Sequence, residues 1–180
     1  MIDVRAPVEF DKGAFPSSIN APLMNNEERE AVGTCYKKSG SDAAIKLGHQ
    51  LVNGDIKNQR LQQWENFTKQ HPDACMYCFR GGLRSQITQQ WLNEKRIEIP
   101  YVEGGYKAMR TYLLEQLHLR TDEGQFIVLS GKTGSGKTEV INEWPNSIDL
   151  EGLANHRGSA FGKTFVAQPA QINFENAWSI

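Results

Sequence analysis

At 180 residues the chain has room for one domain or two small ones. Its 20 basic and 21 acidic residues nearly cancel, which excludes a globally basic nucleic-acid binder and leaves any RNA contact to a local patch. No apolar run of about 18 residues suggests a membrane span, no basic-then-apolar start suggests a signal peptide, and three cysteines argue against a disulfide framework; a cytoplasmic protein with no membrane partner is expected.

Met1 to Val4 opens directly as a strand, and Gly13 and Pro16 mark a loop. Asn25-Asn26-Glu27-Glu28 is a helix start, with an Asn cap and acids in the first turn. The charge run Glu27 to Glu30 is expected to be that solvated turn. Lys37-Lys38-Ser39-Gly40 breaks the pattern, and Ser41-Asp42 caps a second helix carrying Ile45, Leu51 and Val52. After Gly54, the residues Ile56, Leu61, Trp64 and Phe67 recur at helical spacing as core contacts, until His71-Pro72 ends the segment. His49, His71 and His118 have no obvious catalytic neighbours.

Ala74 to Cys78 is a strand, Ser85 to Lys95 a helix with Ile87, Trp91 and Leu92 inward, and Ile99 to Val102 an edge strand carrying Pro100. Glu103-Gly104-Gly105 is a turn, and Tyr106 to Leu117 is helical. Alternating strands and helices imply a parallel α/β sheet. The polar stretch Leu119 to Gly124 is the expected boundary, giving domains 1–118 and 124–180.

The segment between strand and helix, Cys78-Phe79-Arg80-Gly81-Gly82-Leu83-Arg84, joins a thiol, a glycine-bearing loop and a helix N-terminus. Successive loop N–H groups and the helix dipole make an anion cradle, which favours the nucleophilic thiolate. Arg80 and Arg84 add charge, and the Arg84 guanidinium suits bidentate binding of an oxyanion. Gly81 and Gly82 permit backbone angles that a Cβ forbids. Cys78 is therefore the candidate nucleophile. Cys75 completes a C-x-x-C, but an odd offset on a strand puts the two thiols on opposite faces. Cys35, His49 and His71 do not supply a second zinc-ligand pair at suitable spacing.

This loop resembles the active-site loop of rhodanese-type sulfurtransferases. Asp3-Val4-Arg5, Glu9-Phe10, Gly13, Pro16, Ile19-Asn20 and Pro22 resemble that family's first signature, and Val102-Glu103-Gly104-Gly105-Tyr106 resembles its closing segment. The resemblance implies a rhodanese-like parallel-sheet domain, here expected to be clipped at its N-terminus. Five residues separate Cys78 from Arg84, one more than in common sulfurtransferase loops. That spacing also occurs in rhodanese-fold phosphatases, although Tyr77 stands where those usually carry His. A wider loop implies room for more than one sulfur atom.

The apolar run Phe126 to Ser130, expected as a strand, leads into Gly131-Lys132-Thr133-Gly134-Ser135-Gly136-Lys137-Thr138. This is G-x-x-x-x-G-K-[ST], the P-loop, with a helix expected after it. Its glycines expose N–H groups to phosphate oxygens, Lys137 neutralises terminal phosphates, and Thr138 can hold magnesium. Pro145 stops the helix. Ser147 to Leu150 is expected as a short strand, with Asp149 and Glu151 either metal or base candidates or ordinary polar residues. Gly152 to Gly162, with His156, Arg157, Gly158 and Ser159, and Lys163 just beyond, is either a substrate-facing or a solvated loop. No acidic Walker B strand is evident, so a C-terminally truncated P-loop NTPase-like α/β domain is expected.

The combined order of motifs, with Met24-Asn25-Asn26, Gly33-Thr34-Cys35-Tyr36 and Asp149-Leu150-Glu151-Gly152-Leu153, is similar to the tRNA 2-selenouridine synthase family over Asp3 to about Trp178. The resemblance implies a transferase acting on wobble 2-thiouridine in tRNA. Sulfur is first geranylated from geranyl diphosphate; the S-geranyl group is then replaced by selenium from selenophosphate. Cys78 matches the family's chalcogen-carrying cysteine, and Gly131 to Thr138 its phosphate-binding motif. The implied partners are tRNA and a selenophosphate-producing enzyme, with no tightly bound cofactor beyond magnesium at Thr138. The other reading of the same residues is a sulfurtransferase or phosphatase of rhodanese fold joined to a P-loop NTPase.

Overall fold

The computed structural model describes residues 1–132, 134–158 and 162–180. They form two compact units, Met1–Arg110 and Thr111–Ile180.

Unit one is built on a small parallel sheet. Strand β1 (Ile2–Asp3) lies in the centre, followed by α1 (Pro7–Asp11) and β2 (Ile19–Asn20). Helices α2 (Asn26–Leu51) and α3 (Gly54–Gln70) then lead to β3 (Met76–Tyr77), and the sheet order is β2-β1-β3. Ile2 pairs with both Ile19 and Met76, and Asp3 with both Asn20 and Tyr77. Ile2, Asp3, Met76 and Tyr77 of β1 and β3 are buried, whereas β2 at the edge is half-buried. The expected strand at Ile99 to Val102 is reduced to one parallel bridge between Met76 and Tyr101. Met76 N–H donates to the Pro100 carbonyl and Val102 N–H to the Met76 carbonyl, both at 2.9 Å. Pro100 has no N–H to extend that ladder outward.

Leu61 and Trp64 of α3 and Trp91 and Leu92 of α4 (Leu83–Asn93) fill the core beside the sheet. Each such side chain contributes roughly 1.5–3 kcal/mol by leaving water. The Trp64 indole N–H also finds the Ala21 carbonyl at 2.8 Å, so burial leaves it no unsatisfied donor. Ile56, expected inward, is exposed; the apolar row of α3 begins at Leu61.

Helix α2 starts as the sequence requires. The Asn25 side chain accepts from Glu28 N–H, and Glu28 accepts in return from Asn25 N–H, both at 2.8 Å. Glu28 is not simply solvated, however. It is buried and holds Arg60 at 2.6 Å, which corrects the reading of Glu27 to Glu30 as one exposed turn. Gly40, at φ +83° and ψ −175°, breaks the helix into two arms. A Cβ built on Gly48 lies 3.8 Å from Cγ2 of Val32, so the second arm folds back along the first.

Helix α5 (Gly105–Glu123) continues through the stretch expected as a polar linker. Leu119 to Glu123 contains no Gly or Pro, and the helix runs until Gly124, whose N–H closes on the Arg120 carbonyl at 2.9 Å.

Unit two also contains α6 (Lys137–Glu143), α7 (Leu150–Leu153) and α8 (Gln171–Ser179). The strand expected at Phe126 to Ser130 is not formed. A strand needs a ladder partner, and among the described residues no segment pairs with it; Ile127 is 89 % and Val128 84 % exposed. The expected strand at Ser147 to Leu150 is replaced by the start of α7. Helix α8 was not foreseen from the sequence, and it buries Asn176 and Ser179. None of the helices among the described residues is long and apolar enough to cross a membrane.

Candidate functional sites: a cysteine loop and a phosphate loop

Cys78 sits directly after β3, only 3 % exposed. Helix α4 begins at Leu83, two residues earlier than expected, with Gly82 as its N-cap. An N-terminal turn leaves N–H groups without helical partners, and a capping side chain ordinarily takes one of them. Gly82 has no such side chain. The Cys78 sulfur lies beside this turn, where its ionised form is favoured by the Ser85 hydroxyl and N–H and by the Arg80 N–H.

Burial pushes the Cys78 thiol pKa up. The Ser85 and Arg80 hydrogen bonds and the Arg84 charge outweigh it and leave the pKa below the ordinary thiol value. In the thiol form, the Cys78 S–H reaches the Gly82 carbonyl only at 4.0 Å, and the buried Ser85 hydroxyl has no conventional partner. Ionisation of the sulfur gives that hydroxyl an acceptor. Ser85 is thus a site residue the sequence reading placed only as a helix start; its signal was a hydroxyl directly after Arg84.

The loop is locked from across the sequence. Gly81 has φ +63°, and a Cβ there would lie 2.6 Å from the Val102 carbonyl oxygen and 2.7 Å from Gly104 N. Gly105 has φ +56°, and its Cβ would strike the Cys78 carbonyl. The first N–H groups of α5 then complete the fit: Tyr106 donates to Cys78 O at 2.8 Å and Lys107 to Phe79 O at 3.0 Å. Beneath the loop, Arg5 is buried with Asp3 at 2.6 Å and stacks 3.9 Å from the Tyr106 ring centroid.

The two arginines separate. Arg80 is exposed on the loop, with its guanidinium 5.9 Å from the Phe79 ring. Arg84 does not present an open fork. Its two terminal nitrogens donate to Glu9 at 2.6 and 3.2 Å. Burial raises the Glu9 pKa, but Arg84, the Ala6 N–H and Arg29 outweigh that and hold it below the usual carboxylate value. Arg84 therefore supports the thiolate by its charge while Glu9 fixes its position.

The phosphate loop has the backbone its glycines predict. Gly134 and Gly136 adopt φ of +78° and +79°, and Gly136 opens α6. Gly131 passes so close to Ser135 that a Cβ would lie 2.9 Å from its hydroxyl. The Lys137 ammonium turns back across the loop to the carbonyls of Gly131 and Lys132, both at 3.1 Å. Thr138 is exposed in the first turn of α6. Thr133 lies outside the described residues, as does Ser159 in the later loop.

Asp149 caps α7, its carboxylate accepting from Gly152 N–H at 2.9 Å. Glu151 packs against Gly158, where a Cβ would collide with its carboxylate. In the following loop His156 pairs with Lys163, and the Gly158 N–H donates to His156 Nδ1 at 3.1 Å. Among the described residues no three His, Cys, Asp or Glu side chains converge as metal ligands.

These features define an α/β protein with a cysteine-bearing loop after β3 in unit one and the P-loop sequence motif ahead of α6 in unit two. Residues 124–180 match the family described as the tRNA 2-selenouridine synthase AAA domain. Over 176 residues the chain is 60 % identical to a tRNA 2-selenouridine synthase of Marinobacter nauticus and 62 % identical to one of Shewanella sediminis, covering 98 % of this chain and 48 % of each relative. A Shewanella woodyi synthase is 61 % identical over all 180 residues. The chain belongs to the tRNA 2-selenouridine synthase family, and it spans about half the length of the curated relatives it matches. It also resembles the crystal structure of the N-terminal domain of a "putative ATP/GTP binding protein" from Clostridium difficile 630, with a TM-score of 0.58 and 34 % identity, covering 63 % of this chain and 87 % of that one.

Proposed function

We propose that this chain carries the selenium-transfer loop and the phosphate loop of a tRNA 2-selenouridine synthase, and that unit one is a rhodanese-like domain. The observation that carries the reading is the Cys78 sulfur. It is buried at the start of α4, and Ser85, the Arg80 N–H and the Arg84 charge together hold its pKa below the ordinary thiol value, in a chain about 60 % identical to named synthases. A thiolate so held attacks the selenium of selenophosphate: the S–Se bond forms, the Se–P bond breaks, and its electron pair leaves with phosphorus as phosphite beside Arg80, giving a terminal selenide on Cys78. The acceptor is the wobble 2-thiouridine of tRNA after S-geranylation. There the terminal selenide attacks C2, the C2–S bond breaks and geranyl thiolate leaves; that thiolate then takes the Cys78 sulfur, breaking S–Se to leave 2-selenouridine and a mixed disulfide on Cys78.

The phosphate loop, in this reading, grips the diphosphate of geranyl diphosphate. It recognises a phosphate chain rather than a base, and Lys137 needs only to exchange two carbonyls for phosphate oxygens. Magnesium fits Thr138 only as an ion shared with substrate phosphates, because no protein carboxylate cluster is present among the described residues. There the ion would neutralise phosphate charge.

Intact-protein mass spectrometry after incubation with selenophosphate tests the reading. A selenium-sized adduct is expected in the wild type and not in Cys78→Ala. An unmodified wild type with native circular dichroism overturns it. ATP hydrolysis coupled to turnover by the full-length synthase would overturn the assignment of the phosphate loop alone.

A further inference from the structure

The rim of the Cys78 loop carries a flat ring that the sulfur chemistry does not use. Phe79 follows the nucleophile directly and is 38 % exposed. Single exposed apolar residues are ordinary on a surface. This one differs because its ring is held in place. It lies 6.3 Å from the Tyr106 ring at an interplanar angle of 21°, and the Tyr106 ring in turn carries the buried Arg5 guanidinium at 3.9 Å. The Phe79 carbonyl accepts from the Lys107 N–H at 3.0 Å, which fixes the backbone under the ring. A ring fixed from below has little freedom left to lose when something stacks on it.

The charges beside the ring have one sign. The Arg80 guanidinium lies 5.9 Å from the Phe79 ring centroid, and Lys107 is exposed in the first turn of α5. Arg29 and Arg84 are taken by Glu9, whereas no ion pair among the described residues engages Arg80 or Lys107. A hydrocarbon has no use for the cations, and a free phosphate has no use for the ring. A planar unpaired base flanked by sugar–phosphate links uses both.

We propose that Phe79 is the stacking platform for the target base of single-stranded RNA, with Arg80 and Lys107 meeting the phosphates that flank it. The proposal rests on the function proposed above and deepens it, by naming the residues that position RNA at the Cys78 loop. Phe79 supports one face of the base, so that an edge of the base meets the neighbouring Cys78. Arg80 meets the leaving oxyanion while selenium is loaded and an RNA phosphate afterwards. A base inside a duplex offers no free face, so the platform directs transfer to an unpaired nucleotide.

The test is titration of the 180-residue protein with triuridylate and with the same strand lacking its central base, followed by proton NMR. Neither probe carries a transferable chalcogen or a hydrocarbon chain, so the readout reports bases and phosphates alone. Stacking is expected to move the uracil H5 and H6 resonances upfield, and triuridylate to bind about tenfold more tightly than the abasic strand. Phe79→Leu keeps apolar bulk without the ring and is expected to erase both effects; Phe79→Tyr is expected to restore them. Arg80→Ala and Lys107→Ala are each expected to keep the upfield shift and to lower the salt slope of log Kd by about 0.7. Circular dichroism checks the folding of every variant.

Equal affinity for the two strands overturns the proposal. So does the absence of binding, an upfield shift that persists in folded Phe79→Leu, or a shift that Phe79→Tyr fails to restore. If any of these occurs while the selenium adduct on Cys78 forms, the platform fails alone. If the adduct is also absent, the functional reading fails with it.

Discussion

The two loops share one plan and differ in what holds them. Each is a glycine-bearing segment between an apolar run and a helix start. The Cys78 loop is gripped by residues more than twenty positions away, through Gly81 on Val102 and Gly104, and through Tyr106 and Lys107 on its carbonyls. The phosphate loop is held among its own residues, by Lys137 on Gly131 and Lys132 and by Ser135 N–H on Lys132 at 3.2 Å. A nucleophile whose ionisation depends on a few aimed donors requires a fixed frame. A phosphate chain brings many acceptors of its own and can finish ordering a locally closed loop.

The largest expected contrast comes from buried charge. Asp3→Ala leaves Arg5 in the core beneath the cysteine loop without its carboxylate, and is expected to cost unit one about 3–5 kcal/mol in urea denaturation. Gly105→Ala follows, because it combines an unfavourable φ with collision against Cys78. A loss of about 3 kcal/mol is expected, with alkylation of Cys78 slowed by the distorted cradle. The matching change in the phosphate loop, Gly134→Ala, meets open space and is expected to cost only about 1 kcal/mol. Equal losses at the two glycines would erase the distinction between long-range and local support.

Electrostatic changes sharpen the same contrast. Alkylation of Cys78 by iodoacetamide is expected to show a pH midpoint below the ordinary thiol range. Ser85→Ala is expected to move that midpoint upward and to slow alkylation at pH 7 by roughly tenfold. Glu9 acts in the acid range. Its pKa is lowered on folding, so its contribution is complete above the unfolded carboxyl value of about 4.3 and disappears as pH falls through the lower folded one. Glu9→Gln is therefore expected to flatten the stability of unit one as pH falls below about 4.3. The smallest effect belongs to Lys137→Ala, which should change stability by no more than about 0.5 kcal/mol while weakening diphosphate binding.

Local chemistry was legible in the sequence wherever neighbours along the chain decide the structure. Asn25 caps α2, Gly40 breaks it, and Gly134 and Gly136 take the backbone angles that their positions in the motif demand. Cys78 falls directly after a strand, in the loop that leads into a helix, for the same reason. What could not be read were partnerships across the chain. Arg84 looked open because Glu9 is 75 positions away, and Glu28 looked solvated because Arg60 lies 32 positions on. The run Phe126 to Ser130 has every local property of a buried strand, yet strand formation depends on a neighbour that composition cannot supply. The stacking of Phe79 on Tyr106 was equally hidden, since it joins the loop before α4 to the first turn of α5.

The dependence of the cysteine loop on α5 also imposes an order on biosynthesis. The carbonyls of Cys78 and Phe79 take their partners from the N–H groups of residues 106 and 107. A nascent chain that has emerged only as far as α4 carries the cysteine but not the frame that shapes its surroundings. The thiol gains its activated setting only when the ribosome has released a further helix start, so reactivity arrives together with the closing of the first unit.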